Sequence, residues 1–94
     1  MPKVDVETRV KPHPDVMFTA LQDGEAVLLH LDRKVFFTLN ATGAAMWQSI
    51  ESGSTAGSVA DAIHARYDVT LEDARRSVSS FIEELAQEDL VRLS

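Results

Sequence analysis

The sequence predicts a single α+β domain of the winged helix-turn-helix kind: a three-stranded antiparallel sheet followed by three helices. Three observations predict it. Residues 16–39 contain three short runs of β-branched, aromatic and leucine residues separated by tight polar turns. From Asn40 onward the apolar spacing changes to the three-and-four pattern of helices. Strands come first and helices after, rather than alternating, which is the order of an α+β domain. At 94 residues the chain has the size of one domain.

Residues 1–14 contain Pro2, Pro12 and Pro14 and have weak periodicity. They are expected to form an extended or loosely ordered arm, with residues 15–94 as the folded domain. Within the arm, Val4, Val6, Thr8 and Val10 alternate with polar residues, so an edge strand over Val4–Val10 is an option. Val16–Leu21 reads as the first strand of the main sheet. Asp23-Gly24 is a strong hairpin signal, and Ala26–Leu31 reads as the second strand. Asp32-Arg33-Lys34 makes a polar turn, and Val35–Leu39 reads as the third strand. On that strand Val35, Phe37 and Leu39 share one face, and Phe36 and Thr38 the other.

Asn40 is suited to cap a helix from Ala41 to about Glu51, because its side chain can accept an orphan backbone N–H. Gly43, Met46, Trp47 and Ile50 fall on one face of it. Ser52-Gly53 ends it. Ser54 or Thr55 caps a second helix to about Tyr67, with Val59, Ala60, Ile63 and Tyr67 inward. Thr70 caps a third helix that ends near Gln87, with Glu72 and Asp73 in its first turn, where the helix dipole favours negative charge. Its stripe is Ala74, Val78, Phe81, Ile82 and Leu85, and Leu90–Leu93 can form a short closing strand.

Composition excludes several kinds of function. There are no cysteines, which removes disulfides, thiolate nucleophiles and cysteine-ligated metal centres and fits a reducing compartment. No apolar run approaches the roughly 20 residues of a membrane span, and the polar N-terminus does not resemble a secretory signal. A cytoplasmic protein with no membrane partner is expected. The net charge of −6, with scattered bases, opposes the phosphate neutralisation on which nucleic-acid binding depends. A winged-helix DNA-binding protein is the alternative reading. Its recognition helix, Thr70–Gln87, would however carry Glu72, Asp73, Glu83 and Glu84 against Arg75 and Arg76.

Catalytic chemistry has little to build on. His13, His30 and His64 lie on different predicted elements at no metal-binding spacing, so a zinc site would need the fold to unite them with a carboxylate. The acidic pairs Glu83-Glu84 and Glu88-Asp89 read as solvated helix surface, since consecutive helical side chains point about 100° apart. Ser77, Ser79 and Ser80 have no nearby histidine to act as a base. Trp47 reads as core, and Gly43 as the small residue that lets its helix approach the third strand. No enzyme activity, cofactor or metal is expected.

The segments Gly24-Glu25-Ala26-Val27-Leu28-Leu29, Phe37-Thr38-Leu39-Asn40-Ala41-Thr42-Gly43-Ala44-Ala45-Met46-Trp47, Tyr67-Asp68-Val69 and Asp89-Leu90-Val91, with Val78, Phe81, Ile82 and Leu85, resemble the pyrroloquinoline quinone synthesis protein D family (PqqD-like proteins). The likeness covers about residues 10–93, and Leu39-Asn40-x-Thr42-Gly43-x-x-x-Trp47 is its most specific part. The resemblance implies a winged helix-turn-helix peptide chaperone, a precursor-peptide recognition element that binds the leader segment of a ribosomally made peptide. Such a chaperone presents that leader to a modifying enzyme, such as a radical S-adenosylmethionine enzyme, a leader peptidase or a cyclase. It implies that the leader adds as a strand to the third strand, in the groove beside the third helix.

Strand addition draws affinity from main-chain hydrogen bonds and specificity from side-chain pockets. The third strand is an edge of the predicted meander and contains no proline. The expected binding residues are therefore Lys34, Val35, Phe36, Phe37, Thr38 and Leu39 on the strand, with Arg75, Val78, Ser79, Ile82 and Ala86 on the third helix. Ser79 and Ala86 would leave room, and Arg75 could meet a carboxylate. The opposite flank, Phe81 with Ser77 and Glu84, is the second choice. The same edge could pair with its twin, so a loosely held homodimer is also expected.

Overall fold

Asp23 and Gly24 take φ of 61° and 80°. These are the two positive angles a tight hairpin reversal requires if its twist is to match the flanking strands. The computed structural model describes residues 4–53 and 55–94, and this reversal joins β2 (Val16–Ala20) to β3 (Ala26–His30) with Ala20 opposite Ala26. A second turn, with Lys34 at φ 57°, leads into β4 (Val35–Leu39), where Val35 lies opposite His30. The order β2-β3-β4 is the predicted antiparallel meander. β2 and β3 each end one residue earlier than predicted. Leu21 instead closes the loop by donating its N–H to the Glu25 carbonyl at 2.7 Å.

A second, two-stranded sheet joins β1 (Val10–Pro12) to β5 (Val91–Leu93), antiparallel, with Val10 opposite Leu93. The optional strand over Val4–Val10 does not form before Arg9, which makes an isolated antiparallel bridge to Thr55, and Val10 begins β1. The Asp5 carboxylate accepts the Glu7 N–H at 2.9 Å, and Thr8 donates its N–H to the Asp5 carbonyl at 3.2 Å, which turns the chain locally. Residues 10–12, placed in the arm by sequence, are extended and paired, and Val10 is buried in the core. The stretch before them docks on the second helix, where Gly57 donates its N–H to the Val6 carbonyl at 3.0 Å. A Cβ at position 57 would lie 2.8 Å from that oxygen, so only glycine permits the approach.

The helices are α1 (Ala41–Glu51), α2 (Ala56–Arg66) and α3 (Leu71–Gln87). Their caps are the predicted ones. Asn40 accepts the Gly43 N–H at 2.7 Å, Thr55 the Ser58 N–H at 3.2 Å, and Thr70 the Asp73 N–H at 3.1 Å. Ser54, the other expected cap of α2, lies outside the described residues, as do residues 1–3. One core unites all layers: Ala26, Leu28 and Leu39 from the sheet, Trp47 and Ile50 from α1, Val59 and Ile63 from α2, and Val78, Ile82 and Leu85 from α3. Val10, Leu90 and Val91 close it from the small sheet. Among the described residues no helix is long and apolar enough to cross a membrane.

Candidate functional site

Strand β4 has β3 on one side only, and among the described residues no strand pairs with its other side. In an antiparallel ladder every second residue turns its N–H and C=O toward the neighbouring strand. The remaining pairs of β4 therefore face outward, unpaired, on a strand with no proline. Beside this edge lies an open cavity of about 370 Å³.

Its walls come from three elements. Phe37, Thr38 and Leu39 form the strand side, and Leu39 is buried where it meets the core. Asn40, Thr42, Gly43 and Met46 bring the start of α1 to one end. Gly43 suits that closeness: a Cβ there would sit 3.2 Å from Asn40 Oδ1, a tight contact, and 3.5 Å from the Leu39 side chain, an ordinary one. Ser77, Ser80, Phe81 and Glu84 form the far wall on α3. A smaller recess of about 180 Å³ shares Thr42, Met46 and Ser77 and continues toward Ile63, Tyr67 and Val69, between the three helices.

Of the expected binding residues, Phe37, Thr38 and Leu39 line the cavity. Arg75, Ser79, Ile82 and Ala86 do not line the cavity, and neither does Val78. The reason is rotational. A helix turns about 100° per residue, and the buried stripe of α3 is Ala74, Val78, Ile82 and Leu85. Val78 and Ile82 are thus core residues, fully buried. Arg75, Ser79 and Ala86 follow on one side of the stripe; Phe81, Ser77, Glu84 and Ser80 follow on the other, and that second side faces β4. The flank placed second by sequence is the one that lines the groove. On the strand, Lys34 and Val35 lie beyond the cavity's lining, and Phe36 is 74 % exposed on the outer sheet face, in register with Leu29 and Met17. Asn40, Thr42, Gly43, Met46 and Ser80 also line the cavity and were not among the expected binding residues. The cap at Asn40 was itself the available signal, since it fixes where α1 starts against the end of β4.

Chemically the cavity offers hydroxyls, an amide, apolar carbons and the carboxylate of Glu84. No histidine or lysine accompanies Ser77 or Ser80 among its lining residues, and Glu84 is the one ionisable side chain there. The cavity suits holding an extended chain by its backbone.

Away from the groove, the fold unites His13, His30 and Asp89, with one donor atom from each lying within 4.8 Å of the others. Sequence separation had hidden this cluster. Both Nδ1 atoms already accept backbone N–H groups, from Asp15 at 3.0 Å and from Arg33 at 3.2 Å. Trp47, read as core, is buried.

The family model described as coenzyme PQQ synthesis protein D (PqqD) matches residues 25–91. Among solved structures, TbiB1 in complex with the TbiA(beta) leader peptide is similar at 33 % identity and a TM-score of 0.81, covering 87 % of this chain and 94 % of that one. Lasso peptide synthetase B1 complexed with the leader peptide has the same fold, at 23 % identity and a TM-score of 0.78, over 88 % of this chain and 96 % of that one. No curated protein matches the chain.

Proposed function

We propose, from the premise that the chain belongs to the coenzyme PQQ synthesis protein D family, that it is a non-catalytic adaptor that holds the leader segment of a ribosomally made precursor peptide. The observation that carries this reading is the unpaired edge of β4 beside a cavity walled by α3. TbiB1, a third identical over most of its length, is seen with a leader peptide. The guest adds as a fourth strand, and its alternate side chains enter the space between Phe37, Leu39 and Phe81. The bound leader is then presented to a separate modifying enzyme of the radical S-adenosylmethionine, leader-peptidase or cyclase kind.

The test is an NMR titration of the labelled protein with the leader of any short precursor found in its gene neighbourhood. Shifts are expected in residues 35–43 and 77–84, with little change at Arg75 and Ala86. A spectrum unmoved at millimolar leader would end this reading. In the free protein the same edge supports a weak dimer through β4–β4 pairing. Because guest and twin compete for one edge, leader should return the protein to monomer in sedimentation.

A further inference from the structure

His13 lies in the link between β1 and β2, His30 ends β3, and Asp89 follows α3. The Nε2 of His30 is 3.5 Å from Asp89 Oδ2 and that of His13 is 3.8 Å from it. The rings are tilted at 44° with centroids 4.5 Å apart. His30 is 1 % exposed, and its Nε2 has no hydrogen-bond partner within the described structure.

The proton positions follow from the backbone. An Nδ1 that accepts an N–H carries no proton, so each neutral ring holds its proton on Nε2. Both Nε2 atoms then lie near one carboxylate oxygen, at distances that give electrostatic attraction without a hydrogen bond. A metal ion would need the Nε2 lone pairs and would send both protons to Nδ1, where the N–H groups of Asp15 and Arg33 already point. Metal-bound histidines instead donate the second N–H to an acceptor. The cluster is built as a carboxylate clasp.

The backbone of Asp89 agrees with this. It has φ 58°, its N–H meets the Ala86 carbonyl at 3.1 Å, and the Leu90 N–H meets the Leu85 carbonyl at 2.9 Å. That is a Schellman ending, whose left-handed residue is usually glycine. An aspartate at this point sets its carboxylate beside the two imidazoles.

The clasp lies beside the two walls of the groove without lining the cavity. His30 lies opposite Val35, the first residue of β4, and Asp89 stands two residues beyond the last residue of α3. We infer that His13, His30 and Asp89 are positioning residues that fix the separation of β4 and α3 at the end of the groove where the strand begins. The role rests on the adaptor reading.

The test compares the full-length wild type with Asp89→Gly and Asp89→Asn. Glycine keeps the left-handed turn and removes the carboxylate; asparagine tolerates the turn and retains one acceptor oxygen. Asp89→Gly is expected to stay folded, to exchange the amides of β4 faster by hydrogen–deuterium exchange, and to bind the leader used in the NMR titration about tenfold more weakly, ~1.4 kcal/mol. Asp89→Asn is expected to recover part of both losses. Ring nitrogen NMR should find the proton on Nε2 of both histidines. Protons on Nδ1, stoichiometric binding of zinc sulfate that Asp89→Gly abolishes, or unchanged exchange and affinity in Asp89→Gly would each overturn the assignment. The ring and exchange measurements use no peptide. A wild type that ignores the leader therefore removes the adaptor reading, and the positioning role with it, while the clasp itself is still read out.

Discussion

Ser80→Trp is expected to weaken leader binding at least ~100-fold, about 2.7 kcal/mol, while leaving the melting temperature nearly unchanged. Ser80 is exposed and lines the cavity between α3 and β4. An indole there fills the space a guest strand needs, and it displaces no core atom because Ser80 packs none. The control is Arg75→Trp, an equally bulky change at an exposed position of the same helix that is not part of the cavity lining. It should bind leader as the wild type does. Fluorescence anisotropy with a labelled leader measures both. Equal weakening by the two variants would mean that the guest lies elsewhere on α3.

Trp47→Ala is expected to have the largest effect on stability, about 3–5 kcal/mol. Trp47 is 1 % exposed and belongs to the cluster where α1 meets the sheet and the other helices. Small domains have only about 5–15 kcal/mol in total, so the variant should lose much of its resistance to urea. Its Nε1 has no hydrogen-bond partner within the described structure, so the expected loss comes from packing and cavity formation. Urea titration followed by circular dichroism checks the value, and a midpoint within error of wild type would contradict it.

Much of this molecule is legible in its sequence because local chemistry and tertiary demand agree. Asp23-Gly24, Asn40, Thr55 and Thr70 each perform locally what their residue types suggest. The stripe of α3 is so regular that its buried residues follow from spacing alone. Which flank of that stripe borders β4 does not, because periodicity defines a buried face but not the neighbour on either side of it. Placing the Arg75 flank beside the strand followed from the small size of Ser79 and Ala86 and the charge of Arg75, whereas Ser77, Ser80, Phe81 and Glu84 line the cavity. The strand at Val10–Pro12 was obscured because its partner, Val91–Leu93, lies about 80 residues away and no local signal records the pairing. The clasp was invisible for the same reason: His13, His30 and Asp89 are neighbours only after both sheets have formed.

The free edge of β4 also bears on how selective the protein can be. Successive side chains of an added strand point to opposite faces. Only every other guest position would look into the space between Phe37 and Phe81, while the intervening ones would pass over the outer sheet face near Phe36. Selectivity would then follow a two-residue beat, strict and lenient positions in turn, and dissimilar precursors could share one carrier by matching on the strict beats alone.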